Sequence, residues 1–168
     1  MSNILSQIAG TSDSIAMYQL AAEARYAEGK ILQRQRAHQA ALYLYGYSVE
    51  MRLKAAFFYN EGILRLNDPI DRRDLNRAWS YRAAAGLGGN ANFHDPGIWA
   101  RLLVHIRRVS TILPPYVPTM ELAIVYVGDL VRSQWDPTMR YRCLTITPVQ
   151  MRDVFRAAAW LRSRYNAL

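Results

Sequence analysis

Three basic side chains follow one another along a helix predicted near residues 95–113. Arg101, His105 and Arg108 are spaced i, i+4 and i+7, so they lie in a row along one border of that helix. Like charge on both sides disfavours protonation of the imidazole. A neutral histidine beside fixed cations can take a proton from a hydroxyl while the cations hold a phosphate. Arg101 is then the phosphate clamp, His105 the base and Arg108 a further phosphate ligand, although a histidine at the edge of a core helix also serves in packing.

A single carboxylate falls within an apolar helix predicted over residues 32–60. Glu50 lies in the apolar stripe, while Tyr43, Tyr47 and Lys54 form a polar-tipped edge beside it. A buried carboxylate is costly unless it is paired, so we expect a partner, either Lys54 one turn on or an arginine from another helix. Glu50 and Tyr47 then fix helix packing or orient an arginine in a site, with Lys54 as a candidate phosphate ligand.

Two further arginines bracket a tyrosine shortly before the last predicted helix. Arg140 and Arg142 flank Tyr141, and Trp135 precedes them. Arginines interleaved with aromatic rings can stack on a base and clamp its phosphate. The alternative is that Arg140 is the partner that Glu50 needs, tying this stretch to the central helix.

The elements that must position these residues are all helical. N-cap residues followed by proline occur at Asp68-Pro69, Asp95-Pro96 and Thr147-Pro148, and Thr119 is a further N-cap candidate. No stretch alternates with period two for long enough to predict a strand. We therefore predict an all-α, compact helical bundle of about five to six helices, at residues 12–29, 32–60, 69–84, 95–113, 119–134 and 148–165.

Length and composition bound the function classes. The 168 residues predict a single domain, with residues 1–10 as a loosely ordered N-terminal segment. The net charge is +8 with only two lysines, so arginine dominates and favours nucleic acid, a phosphorylated ligand or an acidic protein as partner. One cysteine and no long apolar run lead us to expect a cytoplasmic protein with no membrane contact. No metal-ligand spacing or nucleotide loop is present, so we expect neither a metal nor a cofactor.

Three landmarks in the chain resemble a known family. The stretch from Arg36 to Lys54 contains Gly-Tyr-x-x-Glu-x-x-Leu-Lys, similar to the core helix of HEPN domains, the higher eukaryote and prokaryote nucleotide-binding family. His94-Asp95 opening an Ile/Leu-rich helix resembles that family's helix start. Trp135-x4-Arg140-Tyr141 resembles the segment before its last helix. The three occur in the family's order.

The resemblance implies an up-and-down helical bundle, frequently a homodimer, that binds RNA or a nucleotide. Many members are metal-independent endoribonucleases of toxin–antitoxin or phage-defence systems, which would bring a cognate antitoxin or defence-system protein as partner. The resemblance also implies structural or orienting roles for Trp135 and His94. Nucleases of the family carry an arginine followed by a histidine, with four to six residues between the two. None of the three histidines here has that spacing, and Arg101 with His105, three residues between them, comes nearest.

Two functions from different classes remain at this point. One is an RNA- or nucleotide-binding HEPN-like module with or without ribonuclease activity. The other is a non-catalytic helical scaffold or adaptor whose arginine-rich face binds a protein partner. RNA chemistry predicts that Arg101, His105 and the Arg140/Arg142 pair converge on one cleft, whereas a scaffold predicts that they lie in packing contacts or on separate surfaces.

Overall fold

Six α-helices surround one core in the computed structural model, which describes residues 13–62, 64–88, 92–109 and 117–168. Their bounds are α1 Ile15–Arg34, α2 His38–Glu61, α3 Arg72–Ser80, α4 Pro96–Val109, α5 Pro118–Gln134 and α6 Pro148–Arg164, with short 3₁₀ turns at Pro137–Tyr141 and Tyr165–Ala167. The described residues contain no strand beyond an isolated bridge between Ser14 and Pro69. The predicted all-α bundle is confirmed. The expected N-terminal segment, residues 1–10, lies outside the described residues.

The long helix α2 forms the centre of the bundle. It packs against α1, α4 and α6, while α4 also packs on α5 and α5 on α6. Most of its apolar side chains are buried, with Leu42, Val49 and Phe57 fully inaccessible, although Tyr59 near its end is 59% exposed. A helix that is apolar all round needs neighbours all round. The side chains that α2 presents to its neighbours are therefore fixed by packing.

Helix α1 runs longer than the sequence pattern predicts. We expected a break after residue 29, but α1 continues to Arg34, and the chain turns at Arg36 with φ 60°. Gly29 serves close packing instead of ending the helix, because a Cβ there would lie 2.8 Å from Cε1 of Tyr45 on α2.

Two of the four N-cap predictions are confirmed and two are wrong. The Asp95 carboxylate accepts from the backbone of Gly97, and Thr147 forms a capping box with Gln150. Asp68 instead accepts from the amide of Arg65 in a turn, and α3 begins three residues after Pro69, under an Asp71 cap.

Thr119 lies inside α5, because Pro118 already occupies the first helical position after Val117. None of the helices in the described parts of the chain combines the length and the apolar character that crossing a bilayer requires.

Candidate functional site

The buried carboxylate of α2 is paired, but not with a guanidinium. Glu50 is 2% exposed, and its Oε1 lies 2.5 Å from Nζ of Lys54 and 3.0 Å from Nδ1 of His94. The expectation that an arginine from the last third of the chain neutralises Glu50 is wrong. Lys54, one helical turn away, already supplies the countercharge, and Arg140 lies beside Tyr43, about 10 Å back along α2.

Apolar and aromatic surroundings hold the Glu50–Lys54 pair in place. The ammonium of Lys54 lies 5.4 Å from the ring centroid of Trp99 and 5.9 Å from that of Tyr18. The Trp99 indole in turn donates to the carbonyl of Phe93, next to His94. His94 is the only member of the trio that reaches solvent, with 48% of its side chain exposed.

The Gly-Tyr and Trp landmarks of the sequence pack directly on each other. A Cβ at Gly46 would lie 2.2 Å from the Trp135 ring, so only glycine lets the indole approach α2 this closely. Trp135 packs edge-on against Tyr47 at 5.2 Å and donates its indole N–H to the carbonyl of Tyr43 at 3.0 Å. The contact fixes the start of the segment that follows α5, residues 135–147, which we call the connector.

Gln39 at the start of α2 holds the middle of the connector. Its amide nitrogen donates to the carbonyls of Met139, at 2.9 Å, and Arg142, and its amide oxygen accepts from the amide of Leu144 at 3.1 Å. One side chain therefore satisfies three backbone groups of the connector. The connector, which carries the exposed arginines, is therefore attached to α2 through its backbone groups.

A groove of about 460 Å³ lies between α2 and the connector. We call it the connector groove; its lining residues are Ala37, His38, Gln39, Ala40, Tyr43, Met139 and Arg140. The guanidinium of Arg140 lies 4.6 Å from the ring centroid of Tyr141, and the Tyr141 side chain is 75% exposed. An exposed cation therefore stacks on an exposed ring at the rim of this groove.

Tyr47, beside the connector groove, stays a neutral phenol. Tyr43 and Tyr47 pack edge to face at 5.0 Å. Burial raises the pKa of Tyr47 to about 12, and its hydrogen bond to Tyr43 and the nearby Glu50 charge act in the same direction. At neutral pH Tyr47 therefore carries a hydroxyl group and an aromatic face but no negative charge.

The basic row of α4 serves a different contact. Arg101 donates to both carboxylate oxygens of Asp129, at 2.5 and 2.6 Å, and to the carbonyl of Gly97. Arg108 pairs with Glu121 at 2.8 Å. Both carboxylates belong to α5, so these two arginines join α4 to α5 in antiparallel register. We call these two ion pairs the α4–α5 clasp.

His105 and Arg142 lie outside both the α4–α5 clasp and the Glu50–Lys54 pair. The half-buried His105 ring lies 5.9 Å from the ring of Tyr81. Arg142 lies 3.9 Å from Asp136 within the connector. The structure thus brings Tyr47, Trp135 and Arg140 together around the connector groove and joins Glu50, Lys54 and His94, whereas Arg101 lies in the clasp. A catalytic role for Arg101 and His105 stays a prediction.

Sequence reasoning missed three contributors to this arrangement. Gln39 carries no chemical signal of its own, and the approach of His94 to Glu50 joins residues 44 positions apart. The carboxylates of the clasp were open to detection. Glu121 and Asp129 are eight residues apart and face Arg108 and Arg101, which are seven apart, so they match as antiparallel ion-pair partners.

Comparison with known proteins found no match: no family model matches this chain, and no curated protein or solved structure is significantly similar to it. The fold and the surface together define an all-α helical bundle with an aromatic and cationic groove.

Proposed function

We propose that this chain is an HEPN-like module that binds RNA or a nucleotide in the connector groove. The observation that carries the proposal is Arg140, stacked on the exposed Tyr141 ring and placed beside Tyr43 at the groove edge. Base–aromatic stacking contributes about 1–3 kcal/mol per base, and arginine holds phosphate through two parallel hydrogen bonds. The net charge of +8 attracts a polyanion from a distance.

The contact between two sequence landmarks supports the HEPN-like assignment. Gly46 and Tyr47 belong to the core-helix pattern, and Trp135, Arg140 and Tyr141 belong to the pattern before the last helix. Because Trp135 packs on Gly46 and Tyr47, residues of the two patterns are in direct contact. We infer that this contact holds Arg140 of the connector against α2. A role in a toxin–antitoxin or phage-defence system, with a cognate partner protein, is part of this proposal.

Equilibrium binding at two salt concentrations tests the proposal. A fluorescently labelled single-stranded RNA and a mononucleotide are titrated with wild type, Arg140→Ala and Arg152→Ala. Arg152 is the matched control, because it is an exposed arginine of α6 beside Asp153. We expect about tenfold weaker binding for Arg140→Ala and a smaller salt dependence, since each phosphate contact adds about one unit to the salt slope.

Two results would overturn the binding proposal. One is equal loss of affinity in the Arg140 and Arg152 variants, which would mean that binding depends on the surface charge in general and not on the connector groove. The other is no RNA or nucleotide binding by wild type at low salt. The second result would favour a scaffold that binds a protein partner through its arginines.

A second candidate function, RNA cleavage without metal, rests on the contact between His94 and Glu50. Lys54 neutralises Glu50, so an uncharged imidazole can donate its Nδ1 hydrogen to Oε1 and keep the lone pair on Nε2. A buried carboxylate that orients a histidine in this way is the arrangement found in catalytic triads. On this proposal His94 acts as a general base, and its partner Glu50 lies about 10 Å along α2 from Tyr43.

The proposed reaction is an internal transfer at phosphorus. Nε2 of His94 takes the proton of a ribose 2′-hydroxyl, and the 2′-oxygen bonds to the adjacent phosphorus. The bond from phosphorus to the 5′-oxygen breaks, and that oxygen keeps the electron pair and takes a proton from water. The products are a 2′,3′-cyclic phosphate and a 5′-hydroxyl end, and the resulting hydroxide recovers the proton from the imidazolium.

Cleavage assays on EDTA-treated protein decide between the two histidines. We expect His94→Ala to lose at least about a hundredfold in rate, as for removal of a general base, with RNA affinity and helical content unchanged. His105→Ala is the control and should cleave at the wild-type rate. Loss in His105→Ala alone would support the Arg101–His105 hypothesis instead, and intact RNA with wild type at every pH would leave binding as the function.

A further inference from the structure

Two cavities lie side by side where α1, α2 and the 3₁₀ turn Tyr165–Ala167 meet. One has a volume of about 500 Å³ and the other about 350 Å³, and both are lined by Gln19, Tyr165 and Asn166. The Gln19 carboxamide donates to the Tyr165 hydroxyl, so this hydrogen bond lies at the boundary that the two cavities share. We call the two cavities together the α1–α2 cleft, and the larger and smaller ones its charged and uncharged chambers.

The charged chamber is lined by two arginines and a single carboxylate. Arg52 on α2 and Arg162 on α6 both pair with Glu23 on α1, at 2.5 and 2.9 Å. Although partial burial opposes the shift, hydrogen bonds from Arg162 and Arg52 lower the pKa of Glu23, so this carboxylate is ionised at neutral pH. Burial raises the pKa of Tyr165, which therefore stays uncharged. Two cations against one anion leave one positive charge in excess.

Each chamber is lined by a buried side chain that has an unpartnered polar atom. Arg52 is 3% exposed, and its Nε has no hydrogen-bond partner among the described residues. Asn60, at the wall of the uncharged chamber, is 5% exposed; its amide nitrogen donates to the carbonyl of Ala56, but its Oδ1 is unpartnered within the same residues. Buried polar groups are nearly always hydrogen-bonded. A ligand of this cleft therefore needs an acceptor at one end and a donor at the other.

The spacing of these two side chains sets the length of a ligand that serves both. Arg52 and Asn60 are eight residues apart on α2, so their Cα atoms lie about 12 Å apart. An extended chain covers about 3.3–3.6 Å per residue, so three residues span most of this distance. Leu20 at the charged chamber is 71% exposed, and Tyr59 and Leu66 at the uncharged chamber are 59% and 46% exposed. Apolar side chains of a ligand can pack on them.

We propose that the α1–α2 cleft binds the last three residues of a peptide that ends in a free carboxylate. The carboxylate lies in the charged chamber against Arg162 and Arg52, where its single negative charge matches the single positive charge in excess. A dianionic phosphate monoester carries more charge than this chamber neutralises. A backbone N–H of the peptide donates to Oδ1 of Asn60, and the carboxamides of Gln19 and Asn166 offer donors and acceptors to its other amide groups. Capture of a terminal carboxylate is a recurring mode of peptide recognition.

The cleft is separate from the connector groove. That groove lies at the start of α2, around Tyr43, and Arg52 is nine residues further along the helix, a distance of about 14 Å. The peptide site therefore does not rest on the proposed binding of RNA or a nucleotide, and Arg140→Ala tells the two sites apart.

Isothermal titration calorimetry with acetylated trialanine tests the chemistry of the ligand. We expect the free acid to bind wild type with a Kd of about 0.1 mM, as is usual for a good ligand of this size. Its C-terminal amide should bind at least about tenfold more weakly, and an N-methylated trialanine, which cannot donate to Asn60, about threefold more weakly. Both changes are made in the ligand, so the fold of the protein is untouched. No binding of the free acid, or equal affinity after either change, would overturn the proposal.

Matched arginine variants locate the site. Arg162→Ala should bind the free acid about tenfold more weakly, whereas Arg152→Ala should match wild type. Both arginines lie on α6, are 51% and 52% exposed and pair with a carboxylate. Arg140→Ala should also match wild type. Equal loss in the Arg162 and Arg152 variants would overturn the proposal, and so would loss in Arg140→Ala alone, which would move the peptide to the connector groove.

A carrier protein whose chain ends in three alanines distinguishes two sources of the same carboxylate. Binding as tight as that of trialanine would assign the cleft to the C-terminus of a partner protein. Binding of the free peptide alone would assign it to short peptides. Either result supports recognition of the terminal carboxylate in this cleft.

Discussion

Two arginine-bearing regions of this bundle differ in what their cations touch. In the α4–α5 clasp, the guanidinium of Arg101 donates to both carboxylate oxygens of Asp129, and Arg108 pairs with Glu121. In the connector groove, Arg140 lies on the Tyr141 ring and beside Tyr43. A cation held by a carboxylate contributes to packing, whereas a cation on an aromatic ring keeps its charge for an anion. The partner of an arginine therefore tells more about its role than its position in a helical row.

The same comparison separates expected effects on stability from expected effects on binding. Changes at the buried α2 pair and at the Gly46–Trp135 contact should destabilise the fold. Changes in the clasp should destabilise it modestly and leave RNA binding unaffected. Changes that loosen the connector should weaken binding with little effect on stability.

The largest expected effect follows from removing the countercharge of Glu50. Lys54→Met leaves a carboxylate that is 2% exposed and whose remaining hydrogen-bond partner within the described residues is His94. Loss of one partner of a buried pair costs about 3–5 kcal/mol, so we expect the free energy of unfolding in urea to fall by that amount. The double variant Lys54→Met with Glu50→Gln should recover part of the loss, and a Lys54→Met protein as stable as wild type would contradict the assigned pairing.

The next largest effect is expected where the connector meets α2. Gly46→Ala places a methyl group 2.2 Å from Trp135 ring atoms, and overpacking of this kind costs about 1–3 kcal/mol. We expect lower stability together with a change in tryptophan fluorescence. Gly88→Ala is the control, since a Cβ there meets nothing within 4 Å. Equal melting temperatures for the two variants would show that Trp135 does not rest on Gly46.

Helix starts and ends were predictable from the sequence where a local signal, such as an N-cap residue followed by proline, was sufficient by itself. Asp95-Pro96 and Thr147-Pro148 each cap a helix as expected, because a side-chain acceptor followed by proline favours a helix start. The same pattern at Asp68-Pro69 forms a turn instead. The predicted end of α1 at residue 29 was wrong. Gly29 lies inside the helix, where the Tyr45 ring of α2 packs against it. Local sequence does not reveal this contact between helices.

The site was less predictable because its contacts cross the chain. That Glu50 would be buried and paired followed from its place in an apolar stripe, and Lys54 was one of the expected partners. The second partner, His94, and the grip of Gln39 on the connector depend on how helices are placed in three dimensions. The spacing within α4 suggested a row of Arg101, His105 and Arg108. Only the similar spacing of Glu121 and Asp129 on α5 could have indicated that carboxylates hold both arginines.

A smaller effect is expected from the clasp. Asp129→Asn removes the charged partner of Arg101, whose side chain is 31% exposed. Solvent screening at this exposure limits the loss to about 1 kcal/mol of stability. Thermal unfolding measures that loss, and the RNA titration of the same variant should match wild type. Weaker RNA binding would mean that the clasp and the ligand site are one region after all.

The smallest and most selective effect is expected at Gln39. Gln39→Ala removes three hydrogen bonds to connector backbone groups at the protein surface. Water replaces exposed hydrogen bonds at little cost, so we expect less than about 1 kcal/mol of destabilisation. Arg140 loses its fixed position, and since an ordered ligand site binds better than a mobile one, RNA affinity should fall about threefold. Gln134→Ala, at the end of α5, controls for loss of a glutamine outside the groove. A Gln39 variant that binds RNA as tightly as wild type would mean that Arg140 needs no rigid connector to meet its ligand.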